Sequence, residues 1–273
     1  MTSAAQPAES VEKPAEQAEN PLEQPAVESR TVVLLRHARS TANAAGQLAG
    51  RSPGVGLDET GQRQADRLVQ RLAEVPIARV VSSPIERCLL TLGPLAADRG
   101  LTVEQDIGLA EVDYGDWTGR KLSELGSEKL WRTVQGRPSA AVFPGGEGLA
   151  AVSSRAVAAV RELVAGTTGD GALLICSHGD VIKALIADAL GMHLDQFQRI
   201  SVGPCSVSVL RYSGQHTFVE LLGETGSLAG FVPPPATQST DGESGGTKPG
   251  PADCGPVDAV PGGDTGTADR SLS

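Results

Sequence analysis

The stretch TVVLLRH, residues 31–37, decides the fold, because five β-branched or leucine residues in a row end in an arginine and a histidine. An unbroken apolar run of this kind is typical of a central strand that is covered by helices on both faces. Residues that directly follow such a strand lie at the carboxyl edge of an α/β sheet, where these folds bind ligands. Arg36 and His37 are therefore the first candidates for a functional site.

Strands and helices alternate along the rest of the chain. Strands are predicted at residues 31–35, 78–81, 172–176, 207–212 and 217–222. Helices are predicted from Asp58 to about Pro76, from Pro84 onward, over 150–165 and over 181–190. This alternation predicts an α/β fold, a three-layer α/β/α sandwich around a mostly parallel central sheet. The turn signal at residues 213–214 predicts that the last two strands form an antiparallel hairpin at the sheet edge.

The two ends of the chain differ in composition from its middle. Residues 1–30 and 231–273 contain few large apolar side chains, and each segment has a net charge of −4 out of a total of −10. Such segments bury too little apolar surface to offset the entropy lost on ordering, so we expect two disordered tails around one catalytic domain at residues 31–230. That domain has a net charge of only −2 and no basic stripe, which argues against nucleic acid as a partner.

Neither a signal-peptide pattern nor a run of eighteen apolar residues is found, so we expect a cytoplasmic protein without a membrane partner. The four cysteines (Cys88, Cys176, Cys205 and Cys254) have neither CxxC pairing nor zinc-site spacing. We therefore expect free thiols and no bound metal. The oligomeric state stays open between monomer and homodimer.

Six short motifs follow one another in an order that is informative as a set. They are LRHARSTAN at 35–43, LDETGQRQA at 57–65, SSPIERC at 82–88, EVDYGDWTG at 111–119, FPGGE at 143–147 and SHG at 177–179. Together they resemble the histidine phosphatase superfamily, which includes the cofactor-dependent phosphoglycerate mutases. Ala38 stands where the superfamily signature has glycine, and its methyl group is compatible only with an ordinary negative φ.

The residue types in these motifs suit phosphoryl transfer, in which negative charge spreads over the phosphoryl oxygens. Arg36 and Arg87 can each present a planar fork to those oxygens. A neutral His37 can attack phosphorus, and nearby cations should keep it unprotonated.

The resemblance implies the remaining roles in the reaction. His178 corresponds to the second superfamily histidine and would donate a hydrogen bond to the phosphoryl oxygens, together with the backbone N–H of Gly179. Glu111 would protonate the leaving alcohol and then deprotonate water. Ser40 and Asn43 are candidate donors in the phosphate loop. No cofactor or metal is implied, since His37, His178 and Glu111 lack the local spacing of a zinc site.

The predicted activity is hydrolysis of a small phosphorylated metabolite through a phosphohistidine. About sixty-five residues separate Glu111 from His178, and much of that stretch is predicted helix, which leaves little room for a lid that would exclude water. A mutase-type phosphotransfer is the first alternative. A catalytically silent phosphate-binding protein is the second, and Ala38 favours it.

Two further positions depart from the patterns around them. Gly93 and Pro94 lie within the helix that starts near Pro84, where proline is expected to kink or end it. Gly148 precedes the helix at 150–165 and offers no side chain to cap it.

Overall fold

A computed structural model of the chain describes residue 1, residues 29–214 and residues 216–226. The predicted tails lie almost wholly outside the described residues, so their disorder stays a prediction. Cys254 also lies outside them. Only Ser29 and Arg30 of the predicted N-terminal tail, apart from residue 1, are described, and they form the beginning of the first strand.

In the described part of the chain, six strands form one sheet in the order β3-β2-β4-β1-β5-β6. They are β1 (Ser29–Arg36), β2 (Ile77–Ser82), β3 (Val103–Gln105), β4 (Ala172–Ser177), β5 (Val207–Ser213) and β6 (His216–Glu224). The first four strands in the sheet order are parallel, β5 pairs antiparallel with β1, and β6 pairs antiparallel with β5. The predicted mostly parallel sheet with an antiparallel edge is confirmed.

The helices precede and follow the strands as the alternation predicts. They are α1 (Thr41–Ala44), α2 (Glu59–Arg71), α3 (Glu86–Arg99), α4 (Leu122–Leu125), α5 (Lys129–Gly136), α6 (Leu149–Gly166) and α7 (Gly179–Ala189). Short 3-10 turns lie at Ile107–Leu109, Gly115–Trp117, Pro138–Ala140 and Leu194–Arg199. Asp58 caps α2 by accepting a hydrogen bond from the backbone N–H of Gly61 at 2.7 Å, as predicted.

Side chains of the central strands alternate between two apolar cores. Val33 and Leu35 of β1 pack with residues of α2 and α3, whereas Val32 and Leu34 pack with residues of α6 and α7. β4 alternates in the same way. Because both faces of the sheet are covered, the four apolar residues at 32–35 are buried and only Thr31 is partly exposed, and the predicted three-layer sandwich is confirmed.

Helix α3 differs from its prediction at both ends. It begins at Glu86, with Ile85 as N-cap, and not at Pro84. It then continues through Pro94 to Arg99, so the proline does not end it. Pro94 removes the N–H that would otherwise bond the carbonyl of Leu90, which is an exposed residue.

Among the described residues, no helix is both long and apolar enough to cross a membrane.

Candidate active site

Two histidines lie side by side where two neighbouring strands end. In the parallel pairing of β1 with β4, Arg36 is opposite Ser177, so the residues that follow them, His37 and His178, are brought together. The backbone N–H of His37 donates to the carbonyl of Ser177 at 2.9 Å, and the two imidazole centroids are 5.2 Å apart. Both side chains are buried.

Arg87, in the first turn of α3, joins the two rings. Its Nε–H donates to Nε2 of His37 at 3.2 Å, and its Nη2–H groups donate to Nδ1 of His178 and to the carbonyl of Gly50, each at 3.0 Å. Its Nη1 is buried and has no hydrogen-bond partner among the described residues. A buried guanidinium with an unused donor is suited to hold an anion.

The hydrogen bonds of His37 select its tautomer. Nδ1–H donates to the carbonyl of Ala38 at 2.8 Å, so the lone pair is on Nε2, the nitrogen that faces Arg87. Burial, followed by the charges of Arg87 and Arg36, holds the pKa of His37 well below its ordinary value. The imidazole is therefore neutral at physiological pH and has a lone pair aimed into the site.

His178 is arranged differently from His37. Its Nδ1 accepts from Arg87, and its Nε2–H donates to the hydroxyl of Ser83 at 2.7 Å. Burial and then the charge of Arg87 hold the pKa of His178 well below its ordinary value. Ser83 belongs to the SSPIERC motif, but no sequence pattern indicates its hydroxyl as a partner of His178.

Arg36 is buried at the end of β1, and its Nη1–H donates to the carbonyl of Val202 at 2.7 Å. Its charge contributes to lowering the pKa of both histidines. The site therefore contains two buried arginines beside two neutral histidines, an arrangement with a strong preference for an anionic ligand.

Glu111 brings a buried carboxyl group to the same place. Its Oε2 lies 3.8 Å from Nδ1 of His178 and 4.0 Å from Nη2 of Arg87, and its Oε1 accepts from the backbone N–H of Val112 at 3.0 Å. Burial, and then the negative charge of Asp180, raise the pKa of Glu111 to about 7, against the opposing effect of Arg87.

Two arginines that the sequence analysis missed hold the main chain at Glu111. Arg51 donates to the carbonyl of Glu111 at 2.8 Å and Arg155 does so at 3.2 Å. Both also pair with the carboxylate of Glu147, at 2.9 and 3.0 Å. We refer to Glu147, Arg51 and Arg155 as the Glu147 clamp. Arg155 follows Glu147 by eight positions, but Arg51 precedes it by 96, so no local pattern could have indicated the whole clamp.

Ser40 and Asn43 bond each other in a reciprocal cap at the start of α1. The backbone N–H of Asn43 donates to Oγ of Ser40 at 3.2 Å, and the backbone N–H of Ser40 donates to Oδ1 of Asn43 at 3.0 Å. The Ser40 hydroxyl donates to the same Oδ1 at 2.8 Å. These contacts shape the loop after His37.

Gly179 is the first residue of α7, so its backbone N–H lies next to His178 at a helix N-terminus.

Ala38 fits its position without backbone strain. Among the described residues, Cys205 alone combines a side chain with a positive φ, so the backbone of Ala38 accommodates a Cβ. The methyl group is buried in the core on the α2 and α3 side, and the backbone N–H donates to Oγ1 of Thr91 at 2.9 Å. Thr91 in turn donates to the carbonyl of Arg87, so the loop after β1 is tied to α3.

Within the described residues, no group of three or more His, Cys, Asp or Glu side chains is placed to hold a metal ion. Cys88, Cys176 and Cys205 are buried free thiols.

A family model described as the histidine phosphatase superfamily (branch 1) matches residues 32–225. The chain belongs to the histidine phosphatase superfamily. The match covers more than half of the chain and includes every strand after the first residues of β1. It confirms the resemblance drawn from the six motifs, and the chain is an enzyme of this superfamily.

Its curated relatives include both phosphatases and mutases. Phosphoserine phosphatase 1 of Hydrogenobacter thermophilus is 30% identical over 203 residues, which are 73% of this chain and 95% of the relative. Glucosyl-3-phosphoglycerate phosphatase of Mycolicibacterium vanbaalenii is 30% identical, covering 72% of this chain and 85% of the relative. The probable phosphoglycerate mutase GpmB of Cronobacter sakazakii is 32% identical, covering 66% and 84%.

Solved structures of superfamily members have the same fold. YhfR of Bacillus stearothermophilus superposes with a TM-score of 0.67 at 28% identity, covering 71% of this chain and 97% of that one. The α-ribazole phosphatase of Shigella flexneri superposes with a TM-score of 0.64 at 27% identity, covering 71% and 96%.

Proposed function

We propose that the protein hydrolyses a phosphoric monoester of a small metabolite through a phosphohistidine on His37. The observation that carries this proposal is the placement of three groups. A neutral His37 exposes the lone pair of Nε2 to Arg87, Arg87 has a buried unused donor, and Glu111 lies 4.0 Å from Arg87 with a pKa of about 7. Nucleophile, anion-binding group and proton donor then meet at one point.

In the first half of the reaction, the phosphate group binds to Arg87 and Arg36, with a further hydrogen bond from the backbone N–H of Gly179. His178 orients Arg87 by accepting its hydrogen bond at Nδ1, since its own Nε2–H is bonded to Ser83.

The Nε–H of Arg87 moves from Nε2 of His37 to a phosphoryl oxygen, which frees the lone pair. Nε2 then attacks phosphorus, the bond between phosphorus and the ester oxygen breaks, and the proton of Glu111 passes to that oxygen. The alcohol leaves, and the phosphoryl group stays on His37.

In the second half, Glu111 is a carboxylate and takes a proton from water as the water attacks the phosphohistidine. The bond between phosphorus and Nε2 breaks, inorganic phosphate leaves, and both His37 and Glu111 return to their starting protonation states. A pKa of about 7 suits a group that must both give and take a proton at neutral pH. Ser40 and Asn43 contribute by shaping the loop beside His37. The Ser40 hydroxyl already donates to Asn43, so of these two residues it is Asn43, through its side-chain NH2 group, that has a donor for phosphate.

Hydrolysis is favoured over mutase chemistry by what lies between Glu111 and His178. In the described chain this stretch forms α4, α5, α6, β4 and short turns, and it contributes Leu125, Val134 and Phe143 to the buried core. A segment used for packing cannot also serve as a mobile cover that keeps water from a phosphohistidine. The relatives named as phosphoserine and glucosyl-3-phosphoglycerate phosphatases support small phosphorylated metabolites as the substrate class.

The decisive experiment is to incubate the protein with a panel of ³²P-labelled phosphomonoesters, quench in alkali and map any acid-labile label. We expect label on His37 and release of inorganic phosphate in the wild type. We expect neither in His37→Ala, and both in His216→Ala, which removes an exposed histidine of β6. Absence of label and of phosphate release with every ester would support the silent phosphate binder.

A second experiment tests the mutase alternative, which the similarity to GpmB keeps open. The protein is supplied with 3-phosphoglycerate and 2,3-bisphosphoglycerate, and 2-phosphoglycerate and inorganic phosphate are measured together. We expect inorganic phosphate to be the main product from any ester that the protein accepts. Faster formation of 2-phosphoglycerate than of phosphate would assign the protein to the mutases.

A further inference from the structure

A threonine of α3 is bonded to the backbone beside the proposed nucleophile. Thr91 is fully buried and lies four residues after Arg87, so the two side chains are on the same face of the helix. Its hydroxyl donates to the carbonyl of Arg87 at 2.6 Å and accepts from the backbone N–H of Ala38 at 2.9 Å. Ala38 directly follows His37, and the reaction steps above leave Thr91 without a role.

The contacts of Thr91 belong to a closed ring that includes His37 and Arg87. The carbonyl of Ala38 accepts from Nδ1–H of His37 at 2.8 Å. Nε2 of His37 accepts from Nε–H of Arg87 at 3.2 Å, and the carbonyl of Arg87 leads back to Thr91. Each of the four residues is at most 2% exposed, so water does not compete for these hydrogen bonds. The spacing within the ring is therefore set by its own members.

The hydroxyl of Thr91 has a fixed direction in this ring. A carbonyl can only accept and a backbone N–H can only donate, so the hydroxyl proton points to Arg87 and an oxygen lone pair points to Ala38. Helical threonines often bond the carbonyl four residues earlier, and that contact alone would be local. The second contact joins residues 53 positions apart and connects α3 to the loop after β1.

We propose that Thr91 is a positioning residue whose hydroxyl sets the distance between Nε2 of His37 and the guanidinium of Arg87. This inference rests on the proposed function, in which Arg87 holds the phosphoryl group that Nε2 attacks. A phosphoryl oxygen that takes the Nε–H of Arg87 lies beside Nε2. Phosphorus is then within reach of the attacking nitrogen as long as the two side chains keep this spacing.

Two substitutions separate the hydrogen bonds of Thr91 from its packing. Thr91→Val keeps the shape of the side chain but leaves the buried N–H of Ala38 without its acceptor. This cost favours a shift of the loop away from α3, which carries His37 away from Arg87. Thr91→Ser loses a methyl group and keeps the hydroxyl, so it should preserve the ring.

The first measurement follows the ring directly, in the full chain without a substrate. When arginine and histidine are labelled with ¹⁵N, an N–H···N hydrogen bond gives a scalar coupling between its two nitrogens, here Nε of Arg87 and Nε2 of His37. The two signals are assigned by their loss in Arg87→Lys and His37→Ala. We expect the coupling in the wild type and in Thr91→Ser, and a fall to about half or less in Thr91→Val, because the bond lengthens.

The matched control is Thr167→Val. Thr167 is also buried, and its hydroxyl donates to the carbonyl of Leu163, four residues earlier, at 2.6 Å. It follows α6, and its backbone carbonyl accepts from Arg30 at the beginning of β1, the end of that strand opposite to His37. The substitution removes the same local contact far from the site, so coupling and activity should stay at their wild-type values.

The second measurement follows the reaction with an ester that the labelled panel identifies as a substrate. We expect kcat to fall about tenfold or more in Thr91→Val, with a change in KM of about threefold or less, because misplacement of the nucleophile affects the transition state more than binding. Thr91→Ser should keep kcat within about threefold of the wild type.

Thr91→Ala covers the case in which Thr91→Val does not fold, since the smaller side chain leaves room for a water molecule at the N–H of Ala38. Its coupling should fall as in Thr91→Val. The proposal is overturned by absence of the coupling in the wild type, by a wild-type coupling in either variant, or by an equal loss in Thr91→Ser or Thr167→Val. Failure of the proposed function would be visible separately, as absence of label on His37, and would leave the coupling readable.

Discussion

Cys205 donates its backbone N–H to the carbonyl oxygen of His37 at 3.1 Å, and it does so from a left-handed conformation with φ +58°. A side chain in this region costs about 1 kcal/mol. The conformation is held because Arg71 of α2 donates to the carbonyl of Cys205 at 2.8 Å and also pairs with Glu224 at the end of β6. Backbone strain of this kind persists where the surrounding contacts enforce it.

The strain at Cys205 predicts that a glycine variant at this position is more stable than an alanine variant, the reverse of the order expected inside a helix. Both Cys205→Ala and Cys205→Gly remove the buried sulfur, but only alanine keeps the Cβ that opposes the positive φ. We expect the glycine variant to be more stable by about 1 kcal/mol in urea unfolding. At Ala97, an exposed position inside α3, the same change from alanine to glycine should destabilise by about 0.5–1 kcal/mol. An alanine variant at least as stable as the glycine variant would contradict the strain.

Replacing Glu111 by glutamine is expected to stabilise the fold more in alkaline than in acidic solution. The pKa of Glu111 is raised from an ordinary 4.5 to about 7, so the native state binds this proton more tightly than the unfolded chain does. The free energy of unfolding therefore falls as the pH rises between these values, by an amount on the order of 3 kcal/mol at most. Glutamine is neutral at every pH, so Glu111→Gln removes this pH-dependent fall in the free energy of unfolding.

Urea unfolding at pH 5 and pH 8 checks this expectation. The gain from Glu111→Gln should be small at pH 5 and should approach its full size at pH 8. Glu124→Gln, on an exposed side chain of α4, should give the same difference at both values. A gain from Glu111→Gln that does not depend on pH would show that the carboxyl group titrates normally.

Gly61 in α2 should not tolerate a side chain, for a reason of space. A Cβ there would lie 1.9 Å from the carbonyl oxygen of Arg39, in the loop that follows His37. We expect Gly61→Ala to displace this loop, with at least a tenfold loss of kcat/KM, about 1.4 kcal/mol. Gly136→Ala, at the last residue of α5, is the control, because a Cβ there meets nothing within 4 Å. It should leave activity unchanged.

The sequence predicted those parts of the site that follow from local pattern and sheet geometry. His37 and His178 each follow a buried apolar run, and the carboxyl ends of neighbouring parallel strands must lie together, so their meeting needed no further information. Arg87 was predictable because it lies in the first turn of the helix that directly follows the parallel strand β2, and therefore at the same edge of the sheet as the two histidines. The position of Glu111, in an irregular segment, rested on the motif resemblance alone.

The remaining features depend on contacts between distant residues. Tyr114 meets Asp180 across 66 positions and Arg51 meets Glu147 across 96, and neither pair lies in a periodic pattern that would place it. The left-handed conformation of Cys205 is set by Arg71 and not by its own residue type. Of the two outcomes expected at Pro94, an end of the helix is excluded, because α3 runs through Pro94 to Arg99.

The Glu147 clamp predicts that a residue outside the proposed chemistry controls the rate. Glu147→Gln keeps an acceptor for the backbone N–H of Asp113 but removes the charge that orients Arg51 and Arg155 on the carbonyl of Glu111. Because a small misplacement of a proton donor is costly, we expect kcat to fall about tenfold with a smaller change in KM. The clamp is partly exposed, so stability should change by about 1 kcal/mol or less.

Glu104→Gln, which breaks the exposed pair with Arg79 at the edge strand β3, is the matched control and should leave kcat unchanged. Equal effects of the two substitutions on kcat would mean that the clamp does not position Glu111.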